Sequence, residues 1–349
     1  MREIFCTLCV VLILSIPPNA QGTTPLGGLA VALSPAGDVL VTAGDNRVLY
    51  VLDPATLEVI GRHWLGVDIV ALHFNGDGST LLLEDTDGTL HLYASTTWRP
   101  IKKMPKAQQL TVAAGAGLAA GLDPAYNGHV IRFFTMVDLA EVGRILFAKN
   151  EKVQALGLNA KGDRLAVLLE SVDDTTEKKG EKAPADLKDL ALEEFRLKND
   201  GKTSVLKVFE APRSVEIDTR KTYFSASATG CKLLFHGDIV LVVNYTNVNA
   251  RIGPKGEVSL FKLENGYNYG LGFSADQSIL MAGGLSDGTY TQVSELSQVR
   301  FQPDRMPGWP EYFKSFAVAP DGTAYGTTSG YRLLKIKAGG IFEKSVPVF

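Results

Sequence analysis

Ala30-Val31-Ala32-Leu33-Ser34-Pro35-Ala36-Gly37-Asp38-Val39-Leu40-Val41-Thr42-Ala43 leads, after Gly44, into Asp45-Asn46-Arg47-Val48-Leu49-Tyr50-Val51-Leu52-Asp53-Pro54-Ala55-Thr56-Leu57-Glu58-Val59-Ile60. This stretch decides the fold. Small and apolar residues alternate up to Ser34, and a Ser/Pro/Gly/Asp turn follows. A second apolar run comes next, then a third strand, a tight turn at Asp53-Pro54 and an outer fourth strand. Alternation with period two between turn clusters is the signature of strands. The turn residues supply a positive φ or a side chain that bonds its own backbone.

Both halves recur. The first returns as Val70-Ala71-Leu72-His73-Phe74-Asn75-Gly76-Asp77-Gly78 and as Gln154-Ala155-Leu156-Gly157-Leu158-Asn159-Ala160-Lys161-Gly162-Asp163. It appears again as Gly270-Leu271-Gly272-Phe273-Ser274-Ala275-Asp276-Gln277 and Phe316-Ala317-Val318-Ala319-Pro320-Asp321-Gly322. The second half returns near Asp87–Tyr93, Asn127–Phe134, Lys202–Phe209 and Gly256–Leu263. First strands begin near residues 28, 69, 108, 153, 223, 267 and 313, so most copies are 39 to 46 residues apart. The exception, a gap of 70, contains a 31-residue charged stretch at 172–202. A four-stranded propeller blade takes about 40–45 residues. The predicted fold is therefore all-β: a seven-bladed β-propeller of four-stranded antiparallel blades, with a short helix in an inserted loop. In the fifth copy the first strand is either Tyr223–Thr229 or Lys232–His236.

The Leu52-Asp53 and Thr56 element, with alternation before it, resembles the WD-repeat and YVTN-type β-propellers. The resemblance spans nearly the whole chain after residue 20. The chain departs from the WD consensus, with neither a Gly-His opener nor a Trp-Asp closer. The resemblance implies a fold; propellers host many unrelated activities, so it implies no single function.

The chain has 349 residues, 35 Lys and Arg against 38 Asp and Glu, and a net charge of −3. That balance excludes nucleic acid as an electrostatically captured partner. At the N-terminus, Arg2 precedes an uncharged apolar run from Ile4 to Ile16, then Pro17-Pro18-Asn19-Ala20. This reads as a signal peptide over 1–20, cut after Ala20, with the propeller domain over 21–349. Thirteen residues are too few for a membrane span of about 20. The expectation is a periplasmic or secreted protein with no transmembrane anchor after cleavage. Of the three cysteines, Cys6 and Cys9 fall in the leader, leaving Cys231. One thiol supports neither an intramolecular disulfide nor a multi-cysteine metal site.

The 172–202 stretch holds nine acidic and seven basic residues. Within it Leu187, Leu190, Ala191 and Phe195 fall on one face of a helix predicted over 186–197. Asp186 and Asp189 sit in its first turn and Arg196 and Lys198 in its last, as the helix dipole favours. The insertion is placed between the second and third strands of the fourth blade. A second loop, Thr246–Lys255, is placed between the same strands of the fifth. Such loops open on one face, where function usually sits. Either the helix folds back on the propeller, or Leu187, Leu190 and Phe195, with Asn249 and Arg251 of the neighbouring loop, bind a partner.

Other motifs have plain readings. Gly284-Leu285-Ser286-Asp287-Gly288 matches a hydrolase elbow, but a strand pattern follows it where the elbow needs a helix. Asp85-Thr86-Asp87-Gly88 suits a tight turn. His63, His73, His91, His129 and His236 form no ligand pattern, and there is no phosphate-binding loop. Asn244-Tyr245-Thr246 is a glycosylation sequon. No catalytic residue, cofactor or metal is expected. Two functions remain. One is an exported scaffold that binds a protein or a carbohydrate through its loop face. The other is a propeller enzyme or enzyme subunit, similar to the YVTN-type lactonases or to the heavy chain of periplasmic amine dehydrogenases. The enzyme requires polar and acidic side chains converging on the central channel. The scaffold fits the small and apolar first strands.

Overall fold

The computed structural model describes residues 29–104, 106–170, 172–173, 182–226, 231–304 and 311–348. The signal peptide expected over 1–20 lies outside them. The described chain is a succession of antiparallel meanders. The first is β1 (Leu29–Leu33), β2 (Leu40–Gly44), β3 (Val48–Leu52) and β4 (Val59–Trp64). The second is β5 (Ile69–Phe74), β6 (Thr80–Asp85), β7 (Leu90–Ala94) and β8 (Arg99–Met104), and the third is β9 (Gln108–Ala113), β10 (Leu118–Leu122), β11 (Val130–Thr135) and β12 (Glu141–Leu146). The fourth runs β13 (Val153–Leu158), β14 (Arg164–Leu169), then β15 (Val172–Asp173), helix α1 (Asp189–Asn199), β16 (Lys202–Glu210) and β17 (Val215–Thr222). The fifth is β18 (Lys232–His236), β19 (Ile239–Val243), β20 (Asn249–Ile252) and β21 (Val258–Phe261). An eight-stranded sheet completes the chain. It consists of β22 (Gly270–Phe273), β23 (Ile279–Gly283), β24 (Gly288–Gln292), β25 (Ser297–Phe301), β26 (Phe313–Val318), β27 (Ala324–Thr328), β28 (Arg332–Lys337) and β29 (Ile341–Pro347). Its halves are antiparallel meanders that meet at one parallel pair, Leu271 opposite Ser315.

The turn between first and second strands is the same device in the first, second and fourth meanders and in the first half of the eight-stranded sheet. Ser34 Oγ accepts the amides of Asp38 and Val39, Asn75 Oδ1 that of Thr80, Asn159 Oδ1 those of Asp163 and Arg164, and Ser274 Oγ that of Ile279. Three residues after the capping position the chain turns through positive φ, at Gly37, Gly78, Gly162 and Gln277. Glycine fits there without strain. Gln277 carries a side chain instead, and it ties three sheets together: Oε1 accepts from Phe235 N (2.9 Å) and Nε2 donates to Leu158 O (2.7 Å). At the turn between third and fourth strands of the first meander, Asp53 Oδ1 accepts from Ala55 N, Thr56 N and the Thr56 hydroxyl. The Thr56 amide, with these other bonds, holds the Asp53 carboxyl below its usual range.

Each meander buries apolar side chains against the next. Leu165, Val167 and Phe209 pack with Ile131 and Phe133; Leu241 and Val243 pack with Leu280 and Ala282. The last meets the first, with Tyr325, Leu333 and Val348 against Leu29, Val31, Leu40 and Tyr50. The Thr327 hydroxyl donates to Leu29 O, Tyr331 to Asp45 Oδ1 (2.6 Å) and Tyr325 to Pro54 O (3.0 Å). The ring therefore closes side by side. Among the described residues, no sheet mixes strands from both ends of the chain.

The expected first strands agree with β1, β5, β9, β13, β22 and β26, and Lys232–His236 is the fifth. Tyr223–Ala226 is not strand, and 227–230 lie outside the described residues. The preceding outer strand β17 reaches Thr222, so the chain needs the next residues to return inward. The insertion lies between second and third strands, as expected. Its helix starts at Asp189, three residues later than predicted, because Leu187 N donates to Pro184 O in a turn ahead of it.

Candidate ligand-binding face

In an antiparallel meander the loops between second and third strands leave from the same end as the connections to the next meander. One end of the ring therefore gathers Asp85–Thr89, Asn244–Val248, Gly284–Asp287, the connection 262–269 and, from the next connection, the described residues 302–304 and 311–312.

The expected partner residues are distributed over this end. Leu187 precedes α1; Leu190 and Phe195 are half-buried on it, and Ala191 is exposed. No α1 residue is buried. The helix lies against β16 and β21. Its inward contacts are Leu197, which packs on the Leu206, Val208 and Leu233 cluster, and Glu194, whose Oε1 accepts from the Tyr223 hydroxyl (3.0 Å). The helix thus lies back on the sheets, through Leu197 and Glu194 and not the predicted Leu187, Leu190 and Phe195 stripe.

The Thr246–Lys255 loop is corrected: β20 occupies Asn249–Ile252, leaving only Asn244–Val248 between second and third strands. Asn249 is 0% exposed. Its Oδ1 accepts from Asn244 N and its Nδ2 donates to Asn247 O, so it shapes the loop from inside. Arg251 is half-buried in the middle of β20, opposite Leu241 and Ser259. The sequon is enclosed too: Asn244 is buried, and its Nδ2 donates to Val248 O.

The notable feature of this end is one that the sequence reading missed. Tyr245, from the loop of the fifth meander, meets Tyr267 and Tyr269 of the next connection, at ring centroid distances of 5.8 and 5.1 Å. Tyr267 and Tyr269 are 6.2 Å apart. Tyr269 meets Tyr312 at 5.3 Å, and Lys314 Nζ lies 5.0 Å from the Tyr312 ring centroid. Tyr267 is 55% exposed. The loops beneath are held by amides: Asn268 N donates to Tyr245 O, Asn268 Nδ2 to Asn244 O, and Asn265 Nδ2 to Asn268 Oδ1. The Asn265-Gly266-Tyr267-Asn268-Tyr269 run was the available signal. It matches no strand pattern and combines side chains that bond loop backbone with side chains that cover surface.

Titratable groups on the inner strands also feel one another's charge. Burial pushes the Glu84 carboxyl of β6 up to about 7, the pull of Lys232 in β18 being weaker and Asp85 adding to the push. Burial holds His73 of β5 down at about 4, with Lys232 contributing. The second and fifth meanders are not neighbours, so this coupling reaches across the interior. A proton on Glu84 is bound more tightly in the folded chain. The stabilisation it gives is complete below about pH 4.5 and is lost as pH rises through about 7. The Glu84→Gln variant is therefore expected to match the parent at pH 4.5 and exceed its stability at pH 8.5 by up to about 3 kcal/mol. Denaturant midpoints at the two pH values check it.

The remaining motifs are structural. Asp85 Oδ1 accepts from Asp87 N and Thr89 N, and its Oδ2 meets His91 Nε2 at 2.8 Å, so the aspartate run is a turn. Strand β24 follows Ser286, so no elbow forms. Among the described residues no group of His, Cys, Asp and Glu is placed to hold a metal. Burial pushes the Cys231 thiol up to about 12, which leaves it a poor nucleophile.

No family model matches the chain. No curated protein matches it. Among solved structures it is similar to Kuenenia stuttgartiensis hydrazine synthase, with a TM-score of 0.60 over 88% of this chain and 95% of that one, at 14% identity. The fold is a β-propeller. At that identity the likeness carries the fold alone. Among the described residues no helix of the propeller is long and apolar enough to cross a membrane.

Proposed function

We propose that the chain is an exported seven-bladed β-propeller that acts as a scaffold, binding a protein or a carbohydrate through the end that carries the tyrosines. Seven blades are supported by the single parallel pair at which the eight-stranded sheet divides, and by apolar clusters shared between each meander and the next. Export rests on the Ile4–Ile16 run and the Pro17–Ala20 boundary. The observation that carries the binding reading is the contact set of Tyr245, Tyr267, Tyr269 and Tyr312. Exposed aromatic patches mark recognition sites, and tyrosine is common at such sites because it combines an apolar ring with a polar tip.

Affinity capture from the host's exported fraction tests this. The Tyr267→Ala/Tyr312→Ala double variant is expected to lose what the parent captures, with a loss of roughly 30-fold in affinity. A Leu187→Ser/Leu190→Ser/Phe195→Ser variant is expected to keep it. The reverse pattern would move the partner site to the insertion.

A second reading, an enzyme or enzyme subunit, is supported by the Glu84 carboxyl, which burial pushes up to about 7. A carboxyl near neutral pH is the range that general acid–base chemistry uses.

A further inference from the structure

We infer that the tyrosine cluster is a stacking platform for a neutral saccharide; this rests on the reading of this end as the binding face. Three observations narrow the ligand. First, the rings leave no cage. Tyr245, Tyr267 and Tyr269 lie 5.1 to 6.2 Å apart and touch one another, so no room remains among them for an ammonium group. Tyr245 and Tyr269 meet edge to face at 86°, which fills the slot that a proline-rich strand would need between parallel rings. The ring that stays most open is that of Tyr267, 55% exposed.

Second, ionisable groups beside the rings are partly desolvated. Burial, then the hydrogen bond with Tyr269 and the neighbouring phenols, pushes the Tyr245 hydroxyl up to about 12. Burial pushes the Lys314 ammonium down, against the opposing pull of Asp45. Partial loss of solvation at these groups costs an uncharged ligand less than a charged one. Third, the amides that could have recognised a ligand's charge or backbone are engaged with the loop itself, through Asn244, Asn265 and Asn268. The loops are thereby set before binding, which lowers the ordering cost. A pyranose fits all three conditions. It is uncharged, it offers a flat C–H face to an aromatic ring, and its hydroxyls both give and accept hydrogen bonds at a phenol rim.

The experiment is titration calorimetry of the full mature chain against neutral hexasaccharides of glucose, mannose and N-acetylglucosamine. A glucuronate-containing hexasaccharide and a proline decamer run in parallel. Saturable binding of at least one neutral hexasaccharide is expected. Tyr267→Ala should weaken it about tenfold or more, and Tyr267→Phe much less. Ile60→Ala, on the outer strand β4, should leave it unchanged, and circular dichroism verifies that each variant folds. Absence of neutral saccharide binding, preference for the charged sugar, or binding indifferent to Tyr267→Ala would overturn the inference. In that event, capture from the exported fraction that still depends on Tyr267 and Tyr312 leaves the binding face standing, as does a proline decamer bound through Tyr267. Capture independent of both tyrosines removes the face as well.

Discussion

Replacing Glu311 by Ala is expected to destabilise the propeller by about 3–5 kcal/mol, the usual result of stranding one member of a buried ion pair. Glu311 lies just before β26, and Arg332 opens β28. Their side chains are each 9% exposed. Arg332 Nε reaches Oε1 and Oε2 of Glu311 at 2.9 and 3.0 Å, and the Thr328 hydroxyl donates to Oε1. A forked guanidinium–carboxylate pair is among the stronger polar contacts, and without the carboxylate the guanidinium keeps, among the described residues, only Ser345 Oγ. Glu311 O also accepts from Ser286 N, so the residue ties the last two meanders together. Equilibrium unfolding in guanidinium gives the loss. Glu311→Gln should recover part of it, because the amide oxygen still accepts from Arg332 while the opposite charge is gone.

Gly272→Ala is expected to cost about 3 kcal/mol, at or above the upper end of ordinary overpacking. A Cβ there would stand 2.3 Å from Phe316 O and 2.6 Å from Phe316 Cβ. These are backbone and near-backbone atoms of β26, so β22 and β26 would have to separate. Gly157→Ala should behave alike, since its Cβ would meet Leu233 O at 2.3 Å. Inner strands of neighbouring meanders run this close because these positions carry no side chain. Thermal unfolding of both variants checks it; a change below about 0.5 kcal/mol, the level of an ordinary surface substitution, would mean that the inner strands do not press together as described.

These glycines explain why the fold was legible. Leu156-Gly157-Leu158 and Leu271-Gly272-Phe273 stand in the repeated strand pattern, and Ser34, Asn75, Asn159 and Ser274 stand in the repeated turn. Local periodicity and local hydrogen bonding carry both, so they survive in the sequence. The fifth first strand was ambiguous because Tyr223–Thr229 and Lys232–His236 both alternate. What separates them is the length of β17, which depends on its pairing with β16. Asn249 and Arg251 read as loop because Asn, Arg and Gly suit turns, whereas the enclosed Asn249 amide is part of the ladder's end. The tyrosine cluster was not legible for a simpler reason. Tyr245, Tyr267 and Tyr312 come from three separate segments, and only the side-by-side packing of successive meanders brings them together. The Glu84–Lys232 coupling spans the interior and has no local signature either.

Hydrogen exchange of the chain, with and without concentrated extract of its own host, tests the binding face most directly and needs no prior identification of the ligand. Slowed amide exchange is expected at 243–248, 262–270 and 311–315, with the outer strands β4, β8 and β12 unchanged. Protection confined to the outer strands or to 186–199, with the tyrosine loops exchanging as freely as before, would contradict it.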